Sequence, residues 1–359
     1  MRAFLVDRQD LEKTMWQDAD RITPDDLAPG EVRLAHKCFA FTANNVTYAR
    51  CGDSFGYWSY FPASPPWGAI PVWGLAEVIA SRHGGIAEGE TVYGFLPMSP
   101  ELVVEPQRVK ETGFVDGRAH RALLPRTYNE YVRVDRDPSY DKAVADQHLV
   151  LRPLFSLAFF LAHFLDDEAF FGAKNVVVTS ASSKTAMALA FELRQLGTIR
   201  ITGLTGPATA RYLHSSGVYD AVLAYEDLEG LAACGPSLYV DIAGNETIRR
   251  EVHKRLGGQL RYSCGVGATH AMPRAADAGL PGPEPEFFFT PKHILARRDS
   301  WGVDELRRRL ARDWQAYLAQ AGNSLVIEHS RGEEAIERIY AQVLAGTRAP
   351  GGADILDFD

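Results

Sequence analysis

A chain of 359 residues is long enough for two domains with substantial cores, and 46% hydrophobic with 23% charged residues is an ordinary globular composition. A formal net charge of −8 argues against a nucleic-acid partner, because no basic balance offsets phosphate. The longest apolar stretch, Leu154–Leu165, includes His163 and is too short to span a bilayer, and Met1–Val6 has no basic region leading into an apolar run, so neither a membrane segment nor a signal peptide is expected.

The first predicted strand lies in Met1–Asp7, and the turn Pro29-Gly30 leads into a longer β-rich run over Glu31–Phe41. Tyr57–Trp73 is dense in aromatics and prolines and is expected to be a loop, since proline removes ladder donors. Strands are predicted at Leu75–Ser81 and Glu90–Phe95, separated by the Gly84-Gly85 turn. Pro97–Pro125 has little periodicity and is expected to be an extended excursion. The texture changes near Ala145. Leu149–Phe171 is strongly apolar and predicts a buried helix, and Asn175–Thr179 predicts an interior parallel strand. A helix follows over Lys184–Leu196, ended by Gly197, then a strand at Arg200–Leu204 and a helix at Thr209–Ser216. Further strands are predicted at Ala221–Ala224, Leu238–Ile242 and Gln259–Tyr262. This alternation specifies a parallel α/β sheet whose strands open their carboxyl ends onto one crevice. Helices at Val303–Gln320 and Glu333–Leu344 flank a short strand at Ser324–Glu328, and the acidic tail either returns to the first domain or lies on the surface. Cys38, Cys51, Cys234 and Cys264 are scattered without metal-type spacing, which suits a reduced, cytoplasmic protein.

The turn after Asn175–Thr179 carries the most chemistry. A strand that feeds a helix through a tight turn aims amide donors and a positive helix end at an anion. Ser180, Ser182, Ser183 and Thr185 add hydroxyls and Lys184 adds a charge, making a phosphate cradle. The alternative is a capped helix start in which Ser182 or Ser183 is only the N-cap.

Thr179-Ser-Ala-Ser-Ser-Lys-Thr-Ala186 stands where quinone-oxidoreductase-like members of the medium-chain dehydrogenase/reductase superfamily carry their glycine-rich dinucleotide loop. Leu27-Ala-Pro-Gly-Glu-Val32 and Tyr128-Asn-Glu-Tyr-Val132 before it, and Val240-Asp-Ile-Ala-Gly244 and Gly257-Gly258 after it, resemble further landmarks of that family, in the same order. The resemblance implies an N-terminal GroES-like β-rich domain and a Rossmann-type doubly wound parallel sheet. The corresponding division is residues 1–146 with 287–359, and 147–286. It also implies NADP(H) as cofactor, with Gly244 beside it, a homodimer, and a divergent branch in which the serine-rich, lysine-containing loop is itself typical. Ser180, Ser183 and Ala186 replace glycines, and left-handed backbone at such a residue costs about 1–2 kcal/mol. Thr202-Gly-Leu-Thr-Gly206 lacks the acid of an NAD site, so Thr205, Thr209 and Arg211 would accommodate a 2′-phosphate, unless Arg211 merely faces solvent. No catalytic zinc is expected. Trp73-Gly-Leu-Ala-Glu77 replaces the zinc branch's glycine-histidine-glutamate, and Cys38 reads as a core residue.

By the same resemblance, Asn44, Asn45 and Thr47 would hold a substrate carbonyl, their alternative role being turn formation. Tyr57 and Tyr60 would donate or orient a proton, their alternative role being packing. Trp58, Trp67 and Trp73 would wall an apolar pocket or seal a dimer contact. The expected activity is NADP(H)-dependent reduction of an activated alkene, quinone or carbonyl of a small apolar molecule. The alternatives are a non-catalytic nucleotide-binding protein and a nicotinamide-independent lyase or isomerase.

Overall fold

A computed structural model describes residues 2–18, 23–197, 199–267, 279–322, 325–348 and 351–358. The chain forms two compact units, Met1–Val150 with Ser324–Asp359, and Leu151–Asn323. The second boundary differs from the expected 286/287. Helices Thr290–Trp301 and Val303–Ala321 stay with the parallel sheet, because Tyr317 stacks on Phe155 and Trp314 packs against it at an incline, with ring centres 5.2 and 5.4 Å away.

In the first unit, strand Val32–Phe41 organises a sheet of nine strands among the described residues. It pairs antiparallel with Pro71–Ser81, Glu101–Val104 and Gly352–Asp357. Phe39, Phe41, Val72, Ala76, Val92 and Leu96 form its buried apolar face, covered in part by Ile336 and Tyr340 of helix Glu333–Leu344. The expected excursion over 97–125 instead contributes three strands, Glu101–Val104, Pro106–Lys110 and Gly113–Asp116. Proline and glycine break its period, yet Gly113 is what lets two strands close: a Cβ there would stand 2.1 Å from the Tyr131 carbonyl oxygen. The tail does return to the first unit, as strand Gly352–Asp357, whose Ala353, Ile355 and Leu356 are buried between acidic neighbours. Ala43–Arg50 is a helix, not a turn, capped by Thr42, whose Oγ1 accepts from the Asn44 amide at 3.3 Å.

In the second unit, six strands among the described residues lie in the order Ala221–Ala224, Arg200–Thr205, Asn175–Val178, Ser237–Asp241, Leu260–Gly265, Glu286–Phe287. Every neighbouring pair is parallel. The order reverses between Asn175–Val178 and Ser237–Asp241, so successive crossovers lie on opposite faces and part at the strands' carboxyl ends. Val176, Val177 and Val178 have no exposure, as a strand covered on both faces requires. Helix Ala145–Asp167 outruns the expected apolar stretch, and by length and composition it is long and apolar enough to cross a membrane. Yet 72% of its apolar window is buried inside the protein, so the absence of a bilayer-length segment expected from Leu154–Leu165 alone does not hold, and burial explains the apolarity.

Candidate functional site

The turn between Asn175–Val178 and helix Lys184–Leu196 has the shape a glycine loop would give, made with other residues. Ser180 sits at φ +50°, in the left-handed region. Its amide donates to the Tyr225 hydroxyl at 2.8 Å, and the Ser183 amide donates to the Ser180 carbonyl at 2.7 Å. Ala181 is fully buried, and its carbonyl accepts from the Tyr219 hydroxyl at 2.6 Å. The tightness of this packing shows at Gly203, where an added Cβ would meet the Ala181 Cβ at 2.8 Å. Ser183 is the N-cap, its Oγ accepting from the Ala186 amide at 3.2 Å. The capped-helix alternative therefore describes Ser183. Ser182, just before the cap, is partly exposed, as are Lys184 and Thr185 on the first turn, where a helix has no partners of its own for its leading amides.

Beneath the turn lies a polar hub. Thr179, with no exposure, donates from Oγ1 to Asp241 Oδ1 at 3.0 Å. The same oxygen accepts from the amides of Ile242 and Ala243 at 2.9 and 3.0 Å. Asp241 accepts the Gly244 amide at 2.9 Å and pairs with Arg249 at 2.8 Å, both side chains 3% exposed. Gly244, at φ +63°, thus shapes this loop while its amide serves Asp241. At the next strand end, Thr205 is buried and its carbonyl accepts from the Tyr225 amide at 2.9 Å. Gly206 starts the helix Pro207–Ser216, which carries Thr209, partly exposed, and Arg211, exposed, in its first turns. Tyr225 therefore ties the second and third strand ends to the serine turn. The fold gathers Ser180, Ser182, Ser183, Lys184 and Thr185 at one strand end, Thr205, Thr209 and Arg211 at the next, and Gly244 at the switch. Among the tying residues, Tyr219, Tyr225 and Arg249 escaped sequence reasoning, and Thr179 and Asp241 entered it only within longer segments, without a role of their own. Their one sequence signal is a lone polar residue ending an apolar strand, in Asn175–Thr179 and Ser237–Asp241.

In the first unit the predicted catalytic residues surround an aromatic cluster. The Tyr57 and Tyr128 hydroxyls share a hydrogen bond of 3.1 Å, while Tyr60 donates to the Pro125 carbonyl at 3.3 Å. The Tyr48 hydroxyl accepts from Trp73 Nε1 at 3.1 Å and from Asn44. Phe95 lies 4.8 Å from Tyr128, ring centre to ring centre. Burial pushes the Tyr57, Tyr60 and Tyr128 hydroxyls far above the usual phenol range, so all three keep their protons and remain donors. Asn45 is committed to the fold: Oδ1 accepts the Thr42 amide at 2.8 Å and Nδ2 donates to the Pro71 carbonyl at 2.9 Å. Thr47 lies buried on the same helix, its Oγ1 3.5 Å from the Ala43 carbonyl. Trp73 packs against Tyr93 and Phe95, with ring centres 5.4 and 5.1 Å apart, while Trp58 fills the space beside Gly52 and Gly68. Tyr48 and Tyr128 were not anticipated as members of this cluster. Cys38 sits in the Val32–Phe41 strand opposite Leu75, its thiol pushed up to about 11 by burial, and Glu77 pairs with Lys37 at 2.8 Å.

A family model described as "Protein of unknown function (DUF2855)" matches residues 39–349. No curated protein matches the sequence. Among solved structures the chain is similar to CurA from Vibrio vulnificus in complex with NADPH, at 14% identity and TM-score 0.63, covering 100% of this chain and 99% of that one. It is similar to the yhdH oxidoreductase from Salmonella enterica in complex with NADP, at 15% identity, TM-score 0.52 and full coverage of both chains. It is also similar to an Etr1p variant in complex with NADP and crotonyl-CoA, at 12% identity and TM-score 0.56, with 99% of each chain covered. The fold is that of the medium-chain dehydrogenase/reductases.

Proposed function

The chain belongs to the family described as "Protein of unknown function (DUF2855)", and on that premise we propose that it is a zinc-independent, NADP(H)-dependent reductase of a small, apolar enone, quinone, enoyl or carbonyl compound. The observation that carries the reading is Ser180 at φ +50°, which builds a dinucleotide-type turn at the switch point of a sheet in the 3-2-1-4-5-6 order. Similarity to structures holding NADPH or NADP supports the choice of cofactor.

The residues present fit the group. The first-turn amides, the hydroxyls of Ser182 and Thr185, and the Lys184 ammonium supply donors and positive charge for phosphate. Thr209 and Arg211 stand on the helix that follows the acid-free second strand and suit a 2′-phosphate. When bound, the nicotinamide supplies a hydride equivalent. The first unit's contribution is proton donation and polarity: Tyr57, backed by Tyr128, keeps its proton, and Asn44 with Tyr48 offers polar contact to a substrate oxygen. The apolar walls of that cluster, Phe95 and Trp73, favour an apolar substrate.

Calorimetric titration of the purified chain with NADPH and, in parallel, NADH tests the reading. Saturable NADPH binding, much weaker NADH binding and a loss of at least tenfold in affinity in Lys184→Ala with an unchanged melting transition are expected. No binding of either nucleotide by folded protein would overturn it. The Ser180 amide is occupied by Tyr225 and the Gly244 amide by Asp241, which favours a second reading, a nucleotide-binding protein without turnover. NADPH binding without substrate-dependent oxidation across an enone, quinone and enoyl-thioester panel would select that second reading.

A further inference from the structure

Within the second unit, residues of three helices meet at a polar cluster that the cofactor reading leaves unused. His163 comes from Ala145–Asp167, Glu192 from Lys184–Leu196 and Asp313 from Val303–Ala321. One imidazole nitrogen and one oxygen of each carboxylate all lie within 4.8 Å of one another. Glu192 is 1% exposed and its Oε1 has no hydrogen-bond partner; His163 Nε2 is also buried without one. Buried polar atoms left without partners cost free energy, so two of them in one cluster point to a missing electropositive group.

Three neighbouring arginines already have partners, one of them Asp313 itself. Arg312 grips Asp313 at 2.5 and 2.9 Å, Arg297 holds Asp167 and the His163 carbonyl, each at 2.5 Å, and Arg309 holds Glu305 at 2.6 Å. An ion placed centrally among three atoms no more than 4.8 Å apart lies within about 2.8 Å of each (4.8/√3). Bonds of about 2.0–2.2 Å to nitrogen and oxygen then need closure of less than about 1 Å, within reach of side-chain rotation. Both Asp313 oxygens keep a lone pair after pairing with Arg312. One neutral imidazole with two carboxylates balances a divalent charge, and the mixed nitrogen and oxygen set suits a first-row transition ion better than magnesium or calcium, which prefer oxygen alone.

We propose that His163, Glu192 and Asp313 bind one divalent transition-metal ion that pins three helices together. The sequence reading foresaw no metal, because its three ligands are scattered over 151 positions and show no motif spacing. Glu192 lies eight residues along the helix that begins at Lys184, about 12 Å from the serine turn, so the ion would brace that helix without touching a nucleotide.

The test is titration of the chelator-treated full chain with cobalt(II) chloride, followed by visible ligand-field absorption and by thermal melting. Saturation at one ion per chain with a raised melting temperature is expected, with at least a tenfold weaker affinity in Glu192→Gln and in His163→Gln. A wild-type chain that gives neither a stoichiometric spectrum nor a melting shift overturns the proposal whether or not the variants fold. Binding that survives unchanged in both folded variants also overturns it, by placing the ion elsewhere. NADPH affinity plays no part in either readout, so failure of the reductase reading leaves this test intact.

Discussion

Thr179→Val separates hydrogen bonding from shape at the hub below the serine turn. Valine matches threonine in volume and branching, so no cavity forms. What disappears is an oxygen that donates to Asp241 and accepts from the Ile242 and Ala243 amides at 2.9–3.0 Å. Residues 242 and 243 are each 8% exposed, so water replaces the lost acceptor poorly. Each amide left unsatisfied costs about 1–3 kcal/mol, and the lost bond to a charged carboxylate about as much again. Some relaxation brings the total to about 4 kcal/mol, at the upper end for a single substitution. With an unfolding slope of about 2 kcal/mol per molar urea, the transition reporting the second unit should shift down by about 2 M. Urea melts followed by far-ultraviolet circular dichroism read this directly, with Thr179→Ser as the control that restores the oxygen. A valine variant within about 1 kcal/mol of wild type, or a serine variant as unstable as valine, would refute the hub.

Three further outcomes follow from the same geometry. Ser180→Gly relieves left-handed strain at φ +50° but adds disorder to the unfolded chain, so it should raise stability modestly, by about 0.5–1 kcal/mol in thermal melts; a loss of more than that shows that the Ser180 hydroxyl holds the turn. Arg121→Met strips the partner from Asp116, which it meets at 3.0 Å with both side chains at most 1% exposed, and should cost about 3–5 kcal/mol; the double variant with Asp116→Asn should cost less than the two singles summed, and additivity would show that the pair is not coupled. In metal-free protein, burial and then the nearby Asp313 raise Glu192 to about 8 from its ordinary 4.5. The folded chain therefore keeps a proton that the unfolded chain releases, so stability falls as pH rises from about 5 to about 8, by a few kcal/mol. Glu192→Gln should flatten that slope in melts at both ends of the window, and an unchanged slope would assign it to another group.

Much of the second unit was legible because its signals are local. The Val176–Val178 run, the Gly197 stop and the alternation of strand and helix follow from covered strands and helix termini, which are properties of short segments. The resemblance to the medium-chain superfamily likewise rested on segments in order along the chain, and the fold agrees with it. The first unit was less legible where the period breaks. Strands at 101–116 pair through positions that proline and glycine disguise, and Asn45 reads as a site residue until its amide is seen capping one segment and bridging to Pro71.

The sequence by itself determined the strands of the parallel sheet from Asn175 to Gly265, where the serine-rich turn falls, and that no acid follows the second parallel strand, because these depend on neighbouring residues alone. Only the tertiary structure decided that residues 290–321 stay with the parallel sheet, that Tyr225 and Asp241 consume amides of the candidate cradle, and that His163, Glu192 and Asp313 converge. Those facts are distances between residues as much as 150 positions apart, set by which side chains fill the space between packed helices and strands rather than by any local propensity.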